Sequence, residues 1–468
     1  MRGPAHTRQH VPHNVLDTNP CNGTRGGADM ARLRVFALLA VIAFIGVLLS
    51  GCTQQVAPTE KEIKIGVVAS LTGPASTTGK DMWQSAVVAQ DEINAKGGVY
   101  VKDLNAFAKI RLIQGDDEST REGGQKAVTK LITDDKVDLL VGGFSSAVTS
   151  AHEAIVAENK VPYIVTGASS PIITRRTDID TSYIFHHCPT TDDYGEQTVL
   201  FVDQVLRPAV NARFNLSEDR PIRLAIVYQD SPYGKGVQSA INMTIQKHNL
   251  KMIIVSEQAF RMGETDFRTI LTSVKAAKPD VIYPAAFLNE QIPLVTQGRR
   301  DVGMNTIFLS VECNDDPDYY KGVGSYGEYS IQESRFSPYT MPVGKIATAA
   351  SAFKNSFKTK WGGFPGMMGA STYEGVYAAA AAIEQSGTLE KSAVKDALGK
   401  VRIPELIEPM QDGMITFSPD YRESKFALFM EQLRMDTVSG EPRPVIVWPD
   451  NLKEGSFVLP DWYRPGGM

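Results

Sequence analysis

The sequence predicts an α/β protein built as two parallel-sheet units, and three observations lead there. Apolar runs that end in small or polar residues recur along the chain, and helix-length amphipathic segments separate most of them. The third is length: 468 residues exceed what one hydrophobic core usually supports. The pattern is set by EIKIGVVASLTGPASTTG, from Glu62 to Gly79. Its Ile63, Ile65, Val67, Val68 and Leu71 are too continuous for a strand with one wet face, so a strand buried on both faces is expected. The turn of Gly, Pro, Ser and Thr behind it marks a polar loop. In βαβ sheets such loops gather at the carboxyl edge of the strands, where a site is to be sought.

Residues 1–29 are polar, rich in Gly, His and Arg, and without apolar period, so they are expected to be disordered or to lie upstream of the true start. Met30 opens a better beginning. Arg32 and Arg34 precede the apolar run Val35 to Leu49, which is short for a membrane span and suits a signal-peptide core of about 7–15 residues. The run ends in Leu49-Ser50-Gly51-Cys52, which is similar to a lipobox, so 30–51 are read as a lipoprotein signal peptide and Cys52 as the lipidated residue. The alternative is a buried helix or a retained anchor that happens to precede a Cys. Residues 52–61 are polar and read as a tether reaching roughly 30 Å at about 3.3 Å per residue.

From Glu62 the strand and helix patterns alternate. Strands are expected at Lys109, Val137, Val161, Ile222, Asp280 and Asn305. Helices are expected over Lys80 to Ala95, Thr120 to Ile132, Val148 to Glu158, Tyr194 to Leu206, Gly234 to His248, Asp266 to Ala276 and Asn289 to Asp301. An irregular region, Asp315 to Pro342, precedes helices Val343 to Lys360 and Gly369 to Gln385. Short strands in GMITF, KFALFMEQL and PVIVWP close the chain; being too few for a third domain, they are expected to complete sheets already built.

In their order and spacing, LTGP with Gly79, INAKGGV from Ile93, GDDES from Gly115, GGFSS from Gly142, VPYIVTGASSP from Val161, DSPYGKG from Asp230 and PDVIY from Pro279 resemble the type I periplasmic binding proteins. Among these the chain looks most like the branched-chain amino acid receptors of ABC importers, over nearly all of Glu62 to Pro449. The resemblance implies two Rossmann-like lobes joined by a three-crossover hinge. One lobe would be 62–188 with 337–417, the other 189–336 with 418–449, leaving 450–468 as a C-terminal tail. It also implies a monomeric, membrane-anchored extracytoplasmic receptor that closes on a small amino acid or amide and is read by an ABC permease and its ATPases. A ligand-sensing module on the same fold, or a binder of amide or urea-type solutes, are the alternatives.

A free amino acid offers a carboxylate and an ammonium, so its receptor needs hydrogen-bond donors at one end and an acid at the other. Helix N-termini supply donors and partial positive charge. Ser145 and Ser146 precede the helix expected from Val148, and Gly167, Ala168 and Ser169 form the next such loop. In the resembled family these two loops hold the ligand carboxylate; otherwise the serines are caps and turn residues. By the same resemblance Tyr233 closes over the ligand, Phe287 or Leu288 lies beside it, and Glu312 pairs with the ammonium. Thr78 stands where those receptors often carry Tyr, so the side-chain pocket is expected to differ.

Other classes fare worse. A net charge of −5 with no basic stripe argues against nucleic acid. His186, His187 and Cys188 invite a metal, but neighbours on a strand face opposite ways and cannot converge, so no metal is expected. Gly322 to Gly327 spells G-x-G-x-x-G, yet no buried strand leads into it, so no dinucleotide cofactor is expected. No phosphate loop, nucleophile elbow or zinc helix is present, so no catalytic residues are assigned and the chain is not read as an enzyme. Cys188 and Cys313 both fall near the expected cleft, and whether they pair stays open.

Overall fold

A computed structural model of the protein describes residues 61–340 and 346–466. The upstream segment, the signal peptide, Cys52 and all of the tether but Lys61 lie outside the described residues. In chain order the first half runs β1 (Glu62–Ala69), α1 (Ser76–Ala95), β2 (Val99–Val101), β3 (Ala106–Asp116), α2 (Arg121–Thr133), β4 (Leu139–Gly142), α3 (Ser146–Asn159), β5 (Tyr163–Val165), α4 (Ile172–Arg175) and β6 (Ile184–His186). These strands form one six-stranded sheet in the order β2-β3-β1-β4-β5-β6, parallel except at the β2–β3 pair.

Alternation explains why β1 is apolar without a break. Ile63, Ile65, Val67 and Ala69 point into one core with Leu139 and Val141, under α1; Val68 points into a second with Leu140, Tyr163 and Leu131 of α2. Both faces are covered, as the run predicts, and each such side chain contributes roughly 1.5–3 kcal/mol by burial.

The second half continues α5 (Thr191–Phe201), a π-turn over Val202–Leu206, α6 (Arg207–Arg213), β7 (Ile222–Gln229), α7 (Pro232–Lys247), β8 (Met252–Phe260), α8 (Arg268–Ala276), β9 (Val281–Ala285), α9 (Leu288–Arg300), β10 (Ile307–Phe308), α10 (Pro317–Val323) and β11 (Ile331–Ser334). β7 to β10 make a four-stranded parallel sheet in the order β10-β9-β7-β8. The chain then adds α11 (Ala347–Trp361), α12 (Met367–Ser386) and α13 (Lys391–Leu398), with α11 and α12 both packed on α1 of the first sheet.

The last strands depart from expectation. β12 (Ile403–Pro404) and β13 (Met414–Ile415) pair only with each other, while β14 (Phe429–Met435) and β15 (Pro442–Trp448) join β11 in a separate antiparallel sheet. They therefore do not extend the two parallel sheets. Nor do residues 450–466 hang free: Tyr463 is buried, and the Gly466 N–H donates to Asp280 Oδ1 at 2.6 Å, so this stretch is packed back beside β9. The G-x-G-x-x-G letters fall on the end of α10 and a 3-10 turn, away from any strand-to-helix phosphate turn.

Three stretches carry the chain between the sheets: 187–190 after β6, the segment after β11, and the one between β13 and β14. The first and third run side by side. The His186 N–H donates to Arg422 O at 2.8 Å and the Ser424 N–H to His186 O at 2.9 Å.

Candidate functional site

The carboxyl edge of the first sheet is shaped by a backbone requirement. Gly142, the last residue of β4, has φ +111°, and a Cβ there would lie 2.2 Å from the Val68 carbonyl oxygen of the adjacent strand. Only glycine fits, and the bend it permits brings Phe144 and Ser145 across the strand ends. Ser145 is the N-cap of α3 but makes no side-chain cap, and its Oγ is buried without a partner. Ser146 Oγ instead accepts from the Ser170 N–H at 3.1 Å, tying this loop to the one after β5.

Opposite, the second sheet offers Phe287 at the end of β9 and Tyr233 at the start of α7, stacked with ring centroids 5.1 Å apart. Phe144 crosses from the first sheet to meet Phe287 at 4.5 Å. Together with Gly167, Ser169, Tyr194, Glu312, Cys313 and Met368 these rings enclose a cavity of about 10 Å³. That is room for one water molecule at most. In this arrangement the gap is filled by the protein's own side chains.

The structure thus brings Gly167, Ser169, Tyr233, Phe287 and Glu312 to one cavity. Ser145, Ser146 and Ala168, adjacent in sequence to lining residues, and Thr78 are buried but do not line it. The reason for Thr78 is that α1 starts at Ser76 rather than at Lys80, which places this residue inside the first helical turn. Ala168 turns its carbonyl to His186 Nε2, 2.7 Å away. Sequence reading missed Phe144, Tyr194 and Met368, whose letters are indistinguishable from those of core residues.

Glu312 is engaged by neighbouring side chains. Its Oε1 accepts from the Tyr194 hydroxyl, and its Oε2 lies against Nη1 of Arg335. Arg335 sits just past β11 and is fully buried. Its Nε donates to Glu408 Oε1 at 2.8 Å, its Nη2 to Ser371 Oγ at 2.7 Å, and its guanidinium stands 4.8 Å from the Phe426 ring centroid. No motif marked Arg335, which lies in the region that read as irregular.

Beyond Glu408 the polar chain continues. His187 Nε2 is 2.9 Å from Glu374 Oε2 and 4.0 Å from Glu408 Oε2, while its Nδ1 is 3.0 Å from Ser424 Oγ. Burial pushes Glu374 up to about 7 and Glu408 up to about 8, and pushes His187 down to about 4. Residues from all three crossing stretches, His187, Arg335 and Ser424, therefore meet in one network.

His187, Glu374 and Glu408 offer ligand atoms within 4.8 Å of one another. The positive charge beside them is already supplied by Arg335 on Glu408. As expected, His186, His187 and Cys188 diverge: the last is 3.9 Å from Glu312 Oε1. Cys188 and Cys313 are both free thiols, and burial pushes both up, which makes them poor nucleophiles.

Comparison with known proteins agrees with this geometry. The family described as Periplasmic binding protein matches residues 62–422. The chain is similar to a Leu/Ile/Val-binding protein of Rhizobium johnstonii, 26% identical over 374 residues that cover 79% of this chain and 91% of that one. Among solved structures it superposes on a branched-chain amino acid transporter substrate binding protein from Streptococcus pneumoniae in complex with isoleucine, with TM-score 0.69, 23% identity, and coverage of 83% of this chain and 100% of that one. It also superposes on a solute binding protein of an ABC transporter from R. palustris in complex with benzoate, with TM-score 0.66, 16% identity, and coverage of 84% and 99%.

Proposed function

Because the chain belongs to the periplasmic binding protein family over residues 62–422, a family of solute-binding proteins and not of enzymes, we propose that it is the extracytoplasmic receptor of an ABC importer. It captures a small carboxylate-bearing solute between its two sheet units and is held to the membrane through lipid on Cys52. The observation that carries this reading is convergence: Gly167 and Ser169 from one sheet meet Tyr233, Phe287 and Glu312 from the other around a single cavity. Nothing there forms a nucleophile with its base.

Binding works by hinge closure. The solute enters when the lobes part, displaces the side chains now in contact, and bridges both walls, so that its affinity for the closed form shifts the equilibrium. The α3 N-terminus and the unpartnered Ser145 hydroxyl supply donors for a carboxylate. The names of the relatives make aliphatic amino acids the first class to test, and the benzoate complex of the R. palustris protein adds aromatic acids.

The test is a thermal-shift and small-angle scattering screen of amino acids, carboxylic acids and amides. A ligand should raise the melting temperature and change the scattering radius together; if no compound does either, the receptor reading fails. Anchoring is separable. Cys52→Ser should move the protein from the membrane to the soluble fraction without altering ligand affinity, read by fractionation and calorimetry. Among the described residues no helix is long and apolar enough to cross a membrane.

A further inference from the structure

We infer, on the reading that this cavity is the ligand site, that Arg335 is a specificity determinant which occupies the acid an α-ammonium would need, so that the solute is a small apolar or aromatic carboxylate without an α-amino group. Glu312 is already engaged: its Oε1 accepts from the Tyr194 hydroxyl, and its carboxylate forms an ion pair with the Arg335 guanidinium. The guanidinium is itself fixed on its far side by Glu408 and Ser371, at 2.8 and 2.7 Å. It sits on a crossover stretch rather than a surface loop and is fully buried, so it has no water to retreat into.

An arriving ammonium faces two options, both uphill. It can displace Arg335 from Glu312, which costs a buried guanidinium one of its two carboxylate partners, or it can share Glu312, which brings a second cation beside the guanidinium in a site of low dielectric. A ligand with no cation meets neither obstacle. The remaining walls suit such a ligand. Phe144, Tyr233, Phe287 and Met368 offer apolar and aromatic surface, and Ser169 adds a hydroxyl to the lining. Two buried hydroxyls without a hydrogen-bond partner, Tyr233 on the cavity wall and Ser145 at the N-cap of α3, can donate to a carboxylate.

Matched pairs that differ only in the amine test this in the purified full chain. 4-Methylpentanoate is measured against leucine, and 3-phenylpropanoate against phenylalanine, by calorimetry. Each acid is expected to bind at least tenfold tighter than its amino acid. Arg335→Gln, which frees Glu312, should reverse that order, and Arg335→Lys, which keeps the charge, should preserve it. Tighter binding of either amino acid by the unaltered protein, or an unchanged preference in Arg335→Gln, overturns the inference while leaving the receptor reading intact. If Arg335→Gln does not fold, the paired measurements on the unaltered protein and on Arg335→Lys decide alone. Failure of every acid, amino acid and amide to bind would sink the receptor reading and this inference together.

Discussion

At the scale of single residues, the site depends on positions where only one side chain fits. Gly142→Ala combines a left-handed backbone with a Cβ driven to 2.2 Å from Val68 O. It should destabilise the protein by about 3 kcal/mol, seen as a lower denaturant midpoint, and should weaken ligand binding because Phe144 and Ser145 shift with the bend. Sequence alone exposed this position poorly. GGFSS reads as a turn, but which glycine needs a positive φ depends on how close β1 lies. The same limit hid Arg335. An arginine among Ser, Phe and Pro looks solvated by its letters, and only the meeting of Glu312, Glu408 and Ser371 around it explains why it is buried.

At the scale of elements, the legible parts were those whose pattern is dictated by burial alone. β1, β4, β7 and β9 are apolar runs covered on both faces, and each is legible from its letters alone. β8 and β11 were not. β8 is an edge strand whose middle is only half buried, so its Ser256, Glu257 and Gln258 broke the apolar run. β11 is wholly buried yet polar, because Gln332 donates to Glu431 at 3.0 Å and Ser334 to Asp315 at 2.6 Å, and such satisfied pairs have no periodic signature.

The packing of the C-terminal stretch leaves no signal in the sequence for a related reason. It is held by Asp280, which accepts from both Arg220 Nη atoms at 3.0 and 2.9 Å, from the Arg223 N–H at 2.7 Å and from Gly466. Asp280→Ala strands the Arg220 guanidinium and should lower stability by about 3–5 kcal/mol. Protease should then remove residues beyond Pro449 faster than in the unaltered protein, as read by mass spectrometry.

At the scale of the whole molecule, buried ionisable groups set the pH response. Burial raises Glu153 to about 8, Glu374 to about 7 and Glu408 to about 8 from an ordinary 4.5, so the folded state holds their protons more tightly than the unfolded one. Their contribution is therefore lost as pH rises from about 4.5 to 8. Burial lowers His152 to about 3 and His186 and His187 to about 4 from 6.5, which has the opposite sign: that contribution is lost as pH falls below 6.5. The two slopes oppose each other only between 4.5 and 6.5. The melting temperature should peak in that interval and decline toward pH 8.5, and Glu153→Gln should flatten the alkaline side. A monotonic rise to pH 8.5 would contradict the assignment.

The nearly filled space between Phe144, Tyr233 and Phe287 has a kinetic consequence. A solute cannot collide productively with this form, so capture must wait for spontaneous unlatching. In stopped-flow fluorescence the observed rate should level off as solute concentration increases, at a ceiling equal to the opening rate. The equilibrium affinity is then scaled down by the small fraction of molecules that are open at any instant.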